Sequence, residues 1–129
     1  HSLQYRIEWE KIGDCLITHS HSDHLCSADL EILSDPISHE HRTVYFYSAQ
    51  DGYDKIACEI EKHRMQNRAE VRLVKPGDLF YTSGRKYKVL ALRANHTAET
   101  TPVFYAVERG GKRLLYAIRG CSLKRTIRF

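Results

Sequence analysis

Between Leu16 and Leu25 the chain reads L-I-T-H-S-H-S-D-H-L, which places His19, His21, Asp23 and His24 within six residues. Imidazole and carboxylate together are donors for a divalent ion, zinc first, with manganese or iron as alternatives. The cluster follows Asp14–Thr18, D-C-L-I-T, a short apolar run with β-branched residues that reads as a buried strand. In an extended segment side chains alternate with period two, so His19 and His21 project the same way and can approach one ion. A turn then carries Asp23 and His24 toward a neighbouring position. The spacing suggests one ion facing two histidines and a second facing an aspartate and a histidine. A single histidine would read as a core or surface residue, but four donors directly after a strand point to a metal site.

The elements that must hold this cluster alternate along the chain. Glu8–Ile12 reads as a short helix or turn ending at Gly13, and Ser27–Leu33 reads as helix. Ser34–Arg42 is a polar loop carrying His39 and His41, which also have ligand spacing but read most simply as solvated. Thr43–Ser48, T-V-Y-F-Y-S, is a strand. Gln50–Asn67 is the strongest helical pattern: Ile56, Ile60 and His63 form one face, with Tyr53 and Ala57 flanking. Its other face, Lys55, Glu59, Glu61, Lys62 and Arg64, reads as solvated, and Cys15 and Cys58 read as small core residues. Glu70–Val74 is a strand and Lys75–Asp78 a turn. Leu79–Thr82 and Lys86–Arg93 are strands joined by Ser83-Gly84-Arg85, and Val103–Glu108 and Lys112–Ala117 flank Gly110-Gly111 as a hairpin. The order predicts a sheet-rich α/β protein with helices packed outside, its histidine cluster on the loop leaving a strand's C-terminal end. Ligands collect at that end in layered α/β architectures.

The motif resembles the signature H-x-H-x-D-H of the metallo-β-lactamase superfamily, matched in full by His19, His21, Asp23 and His24. The resemblance extends over most of residues 10–118 and is nearest the phosphodiesterase and ribonuclease-like branch. It implies the αβ/βα sandwich of mixed β-sheets with outer helices, here incomplete, roughly the first half of the family domain. It also implies that His96, in A-N-H-T-A-E-T-T-P, joins His19 and His21 on the first ion. Asp23 and His24 would serve a second ion, with Asp23 also orienting the nucleophile as the catalytic residue. One or two ions per chain are expected. The implied chemistry is hydrolysis of a small-molecule or nucleotide phosphodiester by a hydroxide held between ions about 3.5–4 Å apart.

The sequence departs from that family at its end. A bridging aspartate in a D-T-G context is expected after L-L-Y-A, where this chain has Ile118-Arg119-Gly120. No acid follows, and no histidine follows His96. One set of codons for Ile118–Phe129, read in a shifted frame, begins D-T-G. The expectation is therefore a single partial domain over residues 1–129, truncated or frameshifted near codon 118, with 119–129 an atypical basic tail and the activity impaired. The alternative is an inactive fragment or a metal-binding or interaction domain that retains the fold. Uncovered strand edges in such a half-sandwich predict a homo-oligomer.

Bulk properties narrow the classes further. At 129 residues, 42% hydrophobic and 28% charged, the chain suits one globular domain. No apolar run approaches the ~18 residues of a membrane span, and no signal-peptide core opens the sequence. The cysteines Cys15, Cys26, Cys58 and Cys121 form no C-x-x-C pair, which with that opening predicts a cytoplasmic location. The net charge of +4 resides in Arg119, Lys124, Arg125 and Arg128, so the body is balanced and makes only a weak case for nucleic acid.

Overall fold

V-Y-F-Y-S sets the layers of the fold, because a strand with large side chains on both faces needs a partner on each. The computed structural model describes residues 11–34, 42–95 and 100–117. Strand β1 (Asp14–Leu16) leads into the histidine loop and helix α1 (Ser27–Glu31). Strand β2 (Val44–Ser48) is followed by helix α2 (Gln50–Lys62) and strand β3 (Ala69–Leu73). These three strands form a parallel sheet in the order β1-β2-β3, with Cys15 opposite Phe46 and Phe46 opposite Val71. Strands β4 (Leu79–Tyr81), β5 (Lys88–Arg93), β6 (Val103–Arg109) and β7 (Lys112–Tyr116) form an antiparallel sheet in chain order.

Period-two alternation divides the core in two. From β2, Val44 and Phe46 face the helices and pack with Leu25, Leu30, Ile56, Ile60, Met65 and Ala69. Tyr47 turns the other way and packs with Val74, Val89, Ala91, Val103 and Tyr105, between the sheets. The described residues thus stack as helices, parallel sheet, antiparallel sheet, which is the expected sandwich in partial form. On β4 and β7, the outer strands of the antiparallel sheet, Leu79, Tyr81, Leu114, Leu115 and Tyr116 are exposed.

Two polar seams fasten the sheets. At one end Asp14 accepts hydrogen bonds from the Tyr47 hydroxyl (2.9 Å), the Ser83 amide (2.9 Å) and the Ser83 hydroxyl (2.6 Å). At the other, the buried Tyr105 hydroxyl lies 2.8 Å from the Ile17 carbonyl oxygen and 3.1 Å from that of Tyr47. The Val103 amide donates to the Thr18 carbonyl at 2.9 Å beside it. Backbone polar groups buried between sheets must be paired in this way.

Helix α2 ends earlier than its sequence pattern predicts. After Lys62 the chain closes with Met65 N–H on the Ile60 carbonyl (2.9 Å) and Arg64 N–H on the Glu61 carbonyl (3.2 Å). Arg64 takes a left-handed φ of 53°, where glycine is the usual residue, so no sequence signal marks the stop. Burial of Met65 beside Ile60 in the helix-side core supplies the hydrophobic contact that accompanies such an ending. Cys58 is exposed, correcting the core reading: two residues from Ile56 is about 200° around a helix, the opposite face. Cys15 is half-buried against the core, where burial first and the Asp14 charge second push its thiol up.

Arg64→Gly removes the left-handed strain and should stabilise the protein by about 1 kcal/mol in urea unfolding. The inter-sheet tyrosines predict an alkaline transition. Tyr47 is pushed up to about 12, by burial first and then by the hydrogen bond to Asp14. Tyr105 is also pushed up, by burial first and then by the charges of Tyr116 and Asp51. Folding therefore favours the neutral phenols, and the stability they confer is complete below their ordinary value of 10.0. For both it is lost progressively as pH rises above 10, the loss reaching completion near 12 for Tyr47 and at still higher pH for Tyr105. Unfolding free energies measured at pH 8 and pH 11 should fall between the two, and fall less in Tyr105→Phe.

Candidate metal centre

The histidine loop begins where β1 leaves the parallel sheet. The Ile17 amide still donates to the Tyr47 carbonyl (2.9 Å), while the Thr18 carbonyl is bound by Val103 of β6. The chain at Ile17 and Thr18 is thus held by both sheets, and Thr18 and His19 are buried. The next residues curl into one helical turn: the His21 carbonyl accepts the amides of His24 (2.9 Å) and Leu25 (2.8 Å). Leu25, buried in the helix-side core, anchors the far end.

This path brings the predicted residues together. Nε2 of His19 lies 3.1 Å from Nδ1 of His21, with ring centroids 4.7 Å apart. The His24 ring tilts against His19 at 4.2 Å, and its Nε2 lies 3.3 Å from an Asp23 carboxylate oxygen. One ligand atom from each of His19, Asp23 and His24 falls within a 4.8 Å cluster. Burial is graded: His19 is 1% exposed, whereas the Asp23 side chain is 76% exposed. One end of the cluster is thus fixed in the core and the other is open to water.

The donors fit a metal ion. Two nitrogens each ~2.0–2.1 Å from a tetrahedral ion are about 3.3 Å apart, close to the spacing of the His19 and His21 nitrogens. Two imidazole lone pairs at that spacing repel unless a proton or a cation lies between them. Nδ1 of His19 has the Thr18 hydroxyl at 3.3 Å, which orients the ring and leaves Nε2 toward the cluster. Nitrogen and carboxylate donors of this kind suit zinc, manganese or iron.

Other predicted residues stand apart. His96, His39, His41 and the tail from Ile118 lie outside the described residues. Cys26 is exposed, and His63 is half-buried with Nε2 3.2 Å from Glu59. Three side chains have roles that the sequence does not announce. Asp51 accepts the Ser20 amide at 3.2 Å. Lys55, expected on a solvated face, instead places its ammonium 2.9 Å from the Leu25 carbonyl and 3.4 Å from that of Ser20. Their i, i+4 spacing was readable as a shared helix face, but its target was not. Asp14, read only as part of a strand, is the acceptor that ties β1 to Ser83.

Comparison with known proteins agrees with this architecture. The family model for the beta-lactamase superfamily domain matches residues 3–117. Among solved structures the chain is similar to a zinc-bound PqqB from Methylobacterium extorquens, with a TM-score of 0.59 and 17% sequence identity. The similarity covers 81% of this chain and 37% of that one, so this chain spans little more than a third of that neighbour's length. At such identity the likeness is one of fold. No match was found among curated proteins. Among the described residues no helix is long and apolar enough to cross a membrane. With its motif at the mouth of the expected sandwich and the family model matching nearly its whole length, the chain belongs to the beta-lactamase superfamily.

Proposed function

We propose that the chain is a metal-dependent hydrolase acting on phosphodiesters, with weak turnover in the sequence as it stands. The observation that carries the reading is the convergence of His19, Asp23 and His24, with His21 against His19, at the C-terminal end of a parallel sheet. The metal bound to the PqqB neighbour is zinc, which makes zinc the first ion to test.

The proposed division of labour follows the gradient of burial. His19 and His21, joined by His96, hold one ion, and Asp23 and His24 serve a second. A bound ion would supply Lewis-acid polarisation of a phosphoryl oxygen and lower the pKa of a water. The exposed Asp23 carboxylate faces solvent, where it can orient that water and accept its proton. Buried His19 fixes the site relative to both sheets. Weak turnover is expected because Ile118-Arg119-Gly120 stands where the family resemblance calls for D-T-G. A guanidinium near a bound dication is repelled by several kcal/mol at contact, even at an effective dielectric of ~20.

Metal content measured by elemental analysis of tag-free protein checks the ligand assignment. His19→Ala, His21→Ala and His96→Ala should each strip most of the bound metal, whereas His39→Ala and His41→Ala should leave it. Loss with the second group and retention with His96→Ala would reassign the ligands. Turnover of bis-p-nitrophenyl phosphate checks the chemistry. The 129-residue chain should be slow. Ile118→Asp combined with Arg119→Thr should raise metal content and increase the rate roughly tenfold or more, since it replaces repulsion by attraction beside the ion. Stoichiometric metal without turnover in either protein would favour the metal-binding domain over the hydrolase. Fast, His96-dependent turnover by the unaltered chain would dispose of the impairment.

A further inference from the structure

The backbone between His19 and His21 is gripped from the side by one helix. Ser20 is the residue between the two histidines, so a rotation of its peptide groups would swing both rings. Its amide donates to Oδ2 of Asp51 at 3.2 Å, and its carbonyl oxygen lies 3.4 Å from the Lys55 ammonium. That ammonium also donates to the Leu25 carbonyl at 2.9 Å, closing the loop just past His24. Asp51 and Lys55 are one turn apart on α2.

The fold goes to some cost to bring this helix in. Among the described residues, Oδ1 of Asp51 and the Ser48 hydroxyl are buried without a hydrogen-bond partner. A buried polar group left unpaired costs roughly 1–3 kcal/mol. A Cβ on Gly52 would displace the Ser48 hydroxyl and crowd its Cβ, so glycine eases the close approach of α2 to the end of β2. The carboxylate is also favoured where it lies, in the first turn of α2, by the helix dipole. A surface acid needs none of this.

We propose that Asp51 and Lys55 are positioning residues that lock the Ser20 peptide and thereby hold His19 and His21 in ligating geometry. The inference rests on the ligand reading above, and its test separates the two. In metal-free protein, NMR hydrogen exchange at the Ser20 amide should be at least tenfold faster in Asp51→Ala than in the parent, and largely restored in Asp51→Asn, which keeps an acceptor oxygen. In the loaded protein, zinc affinity by competition with a chelating indicator should fall about 10–100-fold in Asp51→Ala and in Lys55→Met, the usual range for partners that orient ligands. Asp51→Asn should recover most of it. The visible bands of the cobalt-substituted protein should shift in the two weakened variants, because the nitrogens move. Far-UV circular dichroism checks that each variant folds. If Asp51→Ala does not fold, Lys55→Met and Asp51→Asn decide the matter.

Unchanged Ser20 exchange, or unchanged zinc affinity and cobalt spectrum in folded Lys55→Met and Asp51→Ala, would overturn the clamp. Loss of zinc from Asp51→Asn as complete as from Asp51→Ala would overturn it too, and would make Asp51 a ligand. A parent chain without zinc affinity would instead remove the ligand reading, and Ser20 exchange alone would then show whether the clamp exists.

Discussion

The arrangement depends on a peptide segment two residues long. Ile17 and Thr18 are bonded on one side to β2, through the Tyr47 carbonyl, and on the other to β6, through the Val103 amide. The Tyr105 hydroxyl lies within hydrogen-bond distance of the Ile17 and Tyr47 carbonyls. Neither sheet alone could fix this segment. Among the described residues β1 pairs with β2 alone, and a loop leaving such a strand would ordinarily fray into water. Here the second sheet bonds the segment just past the strand, so His19 starts from a backbone whose position is set by both layers. The burial of His19 follows, and the remaining donors need only a short turn to reach it.

That turn is held through its own backbone amides and carbonyls. The His21 carbonyl gathers two amides, Asp51 takes a third, and Lys55 covers two carbonyls. Donors arranged before an ion arrives spare the ion the entropy of ordering them. The same bonds explain why an ordinary serine suffices between the histidines. What Ser20 contributes to these bonds is its amide and carbonyl.

Much of this was legible in the residues. Alternation in V-Y-F-Y-S and the apolar spacing of Ile56 and Ile60 read directly as strand and helix, because each pattern reports a face that must be covered. The H-x-H-x-D-H run marked the candidate site, because four such donors together are unusual in a surface loop. Other features had no local sign. Arg64 ends α2 in a conformation usually reserved for glycine, and only the burial of Met65 explains it. Lys55 looks like any lysine on a polar face until the loop it grips is in view. Asp51 carries no sign of its target either, and its contact with the Ser20 amide appears only in the folded chain.

These contrasts bear on how so little sequence can specify the site. The likeness to PqqB at 17% identity is a likeness of layers, and layers are set by periodicity that many residues satisfy. The backbone bonds that pin Ile17, Thr18 and the His21 turn are equally indifferent to side-chain identity. Specificity is therefore concentrated in the few side chains that the layers cannot replace: the donors at 19, 21, 23 and 24, the hydroxyl of Tyr105, and the Asp51 and Lys55 side chains that hold the loop backbone. On the open side of the cluster Asp23 meets water, and among the described residues no layer constrains the sequence there.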